Sequence, residues 1–295
     1  MSVASPLQNT DTLSVKGLVM ALRGGDGVVR QSNFKRQLSH DDITSEHHGA
    51  PDTADARVFA KADGEHRSLW HDLPLFEFSP TDGKPTGALN FVCEIPKWTR
   101  KKFKLATKEP LNPIKQDDST GYLASFKKGD IYFNLGCFPR TWEDPDHMHP
   151  EAGAGGDNDP LDVCEIGMRQ IPTGKVRPVK VLGILCVIND AGRADWKVVA
   201  IDKDDQWAPV LHDIGDVEKK LPGTLDTLRD WFRTCGLAEG KPPCSFGLDG
   251  LFMPRGFSLS IVRSSHASWA RLVRGKVDDV QPEAEAAAAA DADAA

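Results

Sequence analysis

The chain has 295 residues, of which 40% are hydrophobic and 27% are charged, enough for one large domain or two small ones. Its net charge of −7 is uneven, because residues 278–295 contribute −6 and leave the remainder nearly neutral. No basic face indicates nucleic-acid binding, and no apolar run reaches the roughly 20 residues of a membrane span.

Residues 1–57 are predicted to form a disordered N-terminal tail. The first 36 residues carry a net charge of +3 and many Ser and Gly residues, which is typical of an organelle transit peptide. An ordinary disordered tail is the alternative. His40, His47 and His48 lie further along this segment. A histidine pair in a disordered segment is more often solvated than metal-binding.

Short apolar runs separated by turn signals predict strands at residues 91–95, 131–133, 163–166, 176–188 and 196–201. Helices are predicted only later in the chain. One is indicated by apolar residues at helical spacing between Leu225 and Cys235, ended by Gly236, and a second spans about residues 258–273 with Gly275 as its cap. Strands first and helices last indicate the α+β class.

Residues 277–295 consist almost entirely of alanine and acidic residues, which predicts a disordered tail. The six cysteines form no CxxC pair, and most lie in apolar segments. They are typical of reduced core residues in an intracellular protein.

The segment from Gly156 to Val163 (GDNDPLDV) places three carboxylates within six residues. Carboxylates this close repel each other unless a cation lies between them. Oxygen ligands favour hard ions, so Mg²⁺ is the first expectation. A solvated turn is the common alternative for such a segment. A calcium loop of the EF-hand type is excluded, because counting from Asp157 its required Gly and Glu positions hold Asp162 and Met168.

Other motifs accompany this segment: residues 93–99 (CEIPKWT), 112–117 (NPIKQD), 138–145 (FPRTWEDP), 189–197 (NDAGRADWK), 213–219 (DIGDVEK) and 222–224 (PGT). Together they resemble the family I inorganic pyrophosphatases, especially the eukaryotic and plastid branch. The resemblance runs from about residue 59 to 274, so residues 58–276 are predicted to be the pyrophosphatase domain. It implies an α+β fold, with an OB-like five-stranded barrel flanked by helices.

The resemblance also implies an activity, the Mg²⁺-dependent hydrolysis of diphosphate by a metal-activated hydroxide, and it assigns roles to residues. Asp159 would help to deprotonate the attacking water, Lys102 and Lys197 would contact phosphate, and Glu94 would support the site from a neighbouring strand. The metal ligands would be Asp157, Asp162, Asp190 and Asp195.

The family pattern fails on the phosphate side of this expected site. A metal-binding Glu of the family is replaced by Lys104, a phosphate-binding Arg by Ala124 and a Tyr by Leu135. A Tyr-Lys pair is replaced by Cys235 and Gly236. Lys104, Lys127, Lys128 or Tyr132 could substitute from shifted positions.

The sequence therefore leaves three hypotheses. The first is a working diphosphatase of full or reduced rate, and the second is a catalytically impaired paralogue that acts as a binding or structural subunit. The third is hydrolysis of another phosphate ester. The resemblance allows a homodimer, an inactive paralogue would imply a protein partner, and an organelle, plastid or mitochondrion, is the expected compartment, with the cytoplasm as the alternative.

Overall fold

The computed structural model describes residues 38–79 and 81–274. The predicted transit peptide, the C-terminal tail and the Gly275 cap lie outside the described residues. The strands are β1 (Thr44–His48), β2 (Arg57–Ala62), β3 (Glu65–Arg67), β4 (Phe76–Phe78), β5 (Pro85–Ile95), β6 (Phe103–Leu105), β7 (Ile114–Gln116), β8 (Asn134–Cys137), β9 (Met148–His149), β10 (Ala154–Gly155), β11 (Asp162–Glu165), β12 (Val176–Ile188), β13 (Ala194–Asp202), β14 (Ser245–Phe246) and β15 (Met253–Pro254). The α-helices are α1 (Ile214–Lys220), α2 (Thr224–Thr234) and α3 (Arg255–Arg274).

Five strands close into a ring in the order β5, β8, β11, β13, β12 and back to β5. Neighbours are antiparallel except for β11 and β13, which run parallel. Closure leaves these five strands without free edges. The expected five-stranded OB-like barrel is confirmed.

The strands of the barrel place alternate side chains in two hydrophobic clusters, as the period of two in a strand requires. On β13, Val198 and Ala200 join the cluster that includes Ile261 of α3. Val199 and Ile201 join the cluster that holds the buried faces of α1 and α2. The helices therefore flank the barrel because each covers apolar residues of its strands.

Most predicted elements are found close to their expected bounds. The strand predicted at 131–133 is wrong, because the strand in this region is β8, which begins at Asn134. Ile131 and Phe133 are apolar because they are buried before the strand begins. Asn134 is a polar residue at 0% exposure, and its side chain donates to Glu165 and accepts from backbone amides.

The predicted tail boundary at residue 57 is also wrong. A 3₁₀ turn at His40–Asp42 and strand β1 precede it, and β1 pairs with β2 along five residue pairs. β2 also pairs with β3 and β7, and β7 pairs with β6, so a second sheet is formed. Its inner face contributes Val58 and Ala60 to a third hydrophobic cluster.

Within residues 38–79 and 81–274, no helix has both the length and the apolar character needed to cross a membrane.

Candidate active site

The Asp-rich segment forms a tight loop between β10 and β11. Asn158 has a φ of +75°, and a Cβ on Gly156 would lie 2.3 Å from the backbone carbon of Glu143. The backbone of Glu143 donates to the carbonyl of Asp159 and accepts from the amide of Asn158, both at 2.9 Å. The loop is therefore fixed against residue 143, and only glycine fits at position 156.

Glu143, Asp157 and Asp195 each bring one carboxylate oxygen to a common point, with these oxygens within 4.8 Å of one another. Glu143 is 1% exposed, and its Oε1 accepts from the amide of Trp196 at 2.9 Å. Its Oε2 is buried without a hydrogen-bond partner. A buried acceptor lacking a donor, beside two further carboxylates, fits a hard divalent cation.

The electrostatics of this group lead to the same conclusion. Burial, together with the charge of Asp195, raises the pKa of Asp157 to about 8. Burial and the neighbouring Asp157 raise the pKa of Glu143 well above its usual range. Both shifts mean that the ionised forms are unfavourable without a counter-charge, which a bound cation supplies.

Lys197 supplies part of that counter-charge in the structure. The parallel register of β11 and β13 places it directly beside Asp162, and its ammonium pairs with both Asp162 and Asp195. Burial raises the pKa of Asp162 to about 6, and the charge of Lys197 opposes this. Burial alone would lower the pKa of Lys197, but the charges of Asp162 and Asp195 hold it well above its usual value.

Two more predicted residues lie close to this group. Glu94 is buried on β5, where its Oε1 accepts from the amide of Leu105 at 2.5 Å. Burial, with the charge of Asp162, raises the pKa of Glu94 well above normal. Asp159 lines a cleft of about 430 Å³ together with Asp157 and Lys104. Burial raises the pKa of Asp159, and the charge of Lys104 opposes the shift.

The structure holds two predicted site residues in other contacts. The Nζ of Lys102 lies 2.6 Å from Oε1 of Glu239 and 4.8 Å from the centroid of the Phe126 ring. Asp190 is half-exposed, and its Oδ2 lies 3.1 Å from Nζ of Lys241. Among the described residues, Asp190 is not part of the group formed by Glu143, Asp157 and Asp195.

The model of the inorganic pyrophosphatase family matches residues 91–270. The inorganic pyrophosphatase of Kluyveromyces lactis is 43% identical over 237 residues, which cover 79% of this chain and 80% of that protein. The chain belongs to the inorganic pyrophosphatase family.

Solved pyrophosphatase structures have the same fold. The recombinant inorganic pyrophosphatase of T. brucei brucei is 40% identical, with a TM-score of 0.75, covering 79% of this chain and 71% of that one. An N-terminally truncated vacuolar soluble pyrophosphatase of Trypanosoma cruzi, solved in complex with PPi, has a TM-score of 0.77 at 37% identity. The match covers 91% of this chain and 100% of that chain.

The positions at which the resemblance predicts replaced phosphate-side residues make structural contacts. The carbonyl of Ala124 accepts from the Lys102 amide at 3.0 Å, and Leu135 packs against the cluster around α2. Cys235 directly follows α2, and Gly236 directly precedes the 3₁₀ turn at Leu237–Glu239. Lys104 is the exception, because it faces the cleft.

Two of the residues suggested as replacement phosphate ligands contact α2 and do not line the cleft. Nζ of Lys128 lies 3.1 Å from Oδ2 of Asp230, and the hydroxyl of Tyr132 donates to the carbonyl of Thr227. Lys115, which sequence reasoning missed, lines the cleft beside Lys104, although its ammonium already pairs with Glu109 and Asp118.

Glu143 is the principal site residue that the sequence did not single out as a ligand. It stands within the motif 138–145, between Trp142 and Asp144, and nothing in that spacing separates it from its acidic neighbour. The difference arises in the fold, since Glu143 is buried at the carboxylate group while Asp144 is half-buried and lies 3.8 Å from Arg271.

Proposed function

We propose that the protein hydrolyses inorganic diphosphate to two phosphates and uses Mg²⁺. Membership of the pyrophosphatase family supports the reaction. The observation that carries the proposal is the buried group of Glu143, Asp157 and Asp195, whose oxygens lie within 4.8 Å of one another. Oxygen ligands without nitrogen or sulfur favour Mg²⁺ over softer ions.

Asp157, Asp162 and Asp195 would hold the metal, and Glu143 would join them through its unpaired Oε2. When bound, Mg²⁺ reduces the repulsion between diphosphate and its attacking water and lowers the pKa of that water. Glu94 supports the group from β5, held in place by its hydrogen bond from the Leu105 amide. Asp190 could bind a further ion together with Asp195 only after its ion pair with Lys241 breaks.

In this mechanism Asp159 accepts the proton of the attacking water, because its side chain lines the cleft beside Asp157. The water oxygen bonds to one phosphorus while the bridging P–O bond breaks. The bridging oxygen keeps the electron pair and leaves on the second phosphate. Lys197 would bind a phosphate by shifting from its two aspartates, and Lys102 by leaving Glu239.

Phosphate release from diphosphate, measured for the full-length protein with and without Mg²⁺, tests the proposal. We expect Mg²⁺-dependent turnover that falls at least about 100-fold in Asp159→Asn, the range reported for losing a proton-transfer group. Asp146→Asn is the matched control, because Asp146 is exposed and outside the carboxylate group. If the wild-type protein turned over diphosphate no faster than the Asp159→Asn variant, the result would contradict the proposal and favour the impaired paralogue.

A further inference from the structure

A second cluster of metal-ligand side chains lies on the outer face of the sheet formed by β1, β2 and β3. In this sheet Glu46 is opposite Phe59, and Lys61 is opposite His66. His48 lies two residues from Glu46 and therefore on the same face. The registers of three strands thus place one carboxylate and two imidazoles together.

The distances within this cluster are short. Nε2 of His48 lies 2.7 Å from Oε1 of Glu46, and Nε2 of His66 lies 3.6 Å from Oε2. One ligand atom from each of the three residues lies within 4.8 Å of the others. A tetrahedral ion with nitrogen and oxygen ligands at about 2.0–2.2 Å needs ligands about 3.3 Å apart, so small side-chain rotations bring them into range.

The two imidazoles are held in place by aromatic packing. Their ring centroids are 5.4 Å apart in an edge-to-face arrangement. The ring of Phe59 lies 5.1 Å from His48 and stacks on His66 at 5.0 Å. The cluster is therefore partly ordered before any ion binds, which reduces the entropy lost on binding.

One nitrogen of the cluster lacks a partner. The Nε2 of His66 is buried and makes no hydrogen bond, because the 3.6 Å to Glu46 is too long for one. The carboxylate of Glu46 faces two further groups, Nε2 of His48 and the ammonium of Lys61. Lys61 contacts Oε2 at 2.9 Å. An imidazole nitrogen without a hydrogen-bond partner and a carboxylate oxygen are both ligand atoms for a metal ion.

We propose that Glu46, His48 and His66 form a binding site for a transition-metal ion of the Zn²⁺ class. Two imidazoles and one carboxylate are a common zinc ligand set, with water in the fourth position, and imidazole nitrogen disfavours Mg²⁺. The site shares no residue with the carboxylate group at Asp157. Because β1 and β3 lie on opposite sides of β2, the ion links both flanking strands.

Zinc titration of the untagged full-length protein, freed of metal and supplied with saturating Mg²⁺, tests this proposal. We expect one tightly bound Zn²⁺ per chain, and binding at least about tenfold weaker in both His48→Gln and His66→Gln. His47→Gln is the matched control, because His47 neighbours His48 on β1 and points to the other face of the sheet. Diphosphate hydrolysis with Mg²⁺ should be the same in all three variants.

A Cu²⁺ probe distinguishes this site from the all-oxygen carboxylate group. Paramagnetic resonance of one equivalent of Cu²⁺ should show nitrogen hyperfine structure that disappears in the double variant His48→Gln/His66→Gln and persists in His47→Gln. Zinc binding of equal affinity in wild type and the double variant would overturn the proposal. So would zinc binding that is lost in Asp195→Asn alone.

Discussion

The two sides of the candidate active site are built in different ways. On the carboxylate side, Asp162 and Asp195 are fixed by the register of barrel strands, and Asp157 is fixed by a loop that only glycine permits beside residue 143. On the phosphate side, Cys235 and Gly236 lie at the end of a helix, and the side chain of Lys102 reaches across to Glu239.

This difference predicts that the two sides tolerate substitution to different degrees. Replacing a residue of the carboxylate side would disturb the backbone contacts that hold the loop and the strands. At the end of α2, the side chain of Lys128 contacts Asp230, and this contact does not hold the Asp-rich loop. We therefore expect substitutions on the carboxylate side to disturb the fold more than substitutions at the end of α2.

The largest expected effect is on the carboxylate side. Asp195→Asn removes one oxygen of the carboxylate group and should lower Mg²⁺-dependent diphosphate turnover by more than about 100-fold, since losing even an indirect supporting contact costs 10–100-fold. Asp190→Asn is the matched change, and it should leave most of the turnover because Asp190 pairs with Lys241. Equal losses in both variants would show that Asp190 joins the site in solution.

Metal-free protein should become less stable as the pH rises through the range set by Asp157. Its pKa is raised from 3.8 to about 8 by burial and Asp195, so the folded state binds more protons than the unfolded state between these values. Thermal scans of EDTA-treated protein should show the melting temperature falling by several degrees from pH 5.5 to pH 8, with a smaller fall in Asp157→Asn.

Mg²⁺ should reverse this trend, because it binds the folded state with ionised carboxylates. We expect the increase in melting temperature on adding Mg²⁺ to be larger at pH 8 than at pH 5.5. If the melting temperature fell equally with pH in the wild type and in Asp157→Asn, Asp157 would not be the cause of the pH dependence.

On the phosphate side, Lys104→Met should raise the KM for diphosphate about tenfold, because a hydrogen bond to a charged group contributes roughly 1.5–3 kcal/mol. Lys104 lines the cleft beside Asp159, whereas the control Lys101→Met changes an ammonium that pairs with Asp52. An unchanged KM in Lys104→Met would show that the charge reversal has no role in phosphate binding.

The smallest effect is expected for Glu239→Gln, which frees Lys102 from its ion pair. The KM should fall by about threefold, in line with the 0–1 kcal/mol typical of such partly exposed pairs. Asp230→Asn, which releases Lys128, is the control and should leave the KM unchanged. A higher KM in Glu239→Gln would mean that the ion pair positions Lys102 for phosphate.

The sequence predicted the strands and helices that can be recognised from the spacing of their own apolar residues. The bounds of β12 are those expected, and α2 ends at the residue before Cys235. The sequence did not predict α1, which has only seven residues. It also did not predict β1, because the residues of β1 are mostly exposed and do not alternate between apolar and polar, and they form a strand by pairing with β2.

Within the site, the Asp-rich segment could be identified because its residues are adjacent in sequence. The ion pair between Lys102 and Glu239 spans 137 residues, and Glu143 is selected only by the close approach of Gly156. Contacts of this kind depend on the closed barrel. No local pattern predicts them.

The parallel pairing of β11 and β13 also sets an order of events during synthesis. Asp162 leaves the ribosome 35 residues before Lys197, its buried partner, which corresponds to roughly 2–7 seconds at usual elongation rates. Until then the nascent chain carries a dense patch of negative charge with neither its ammonium nor its fifth barrel strand. The barrel cannot close, and the carboxylates cannot assemble, before β13 has been made.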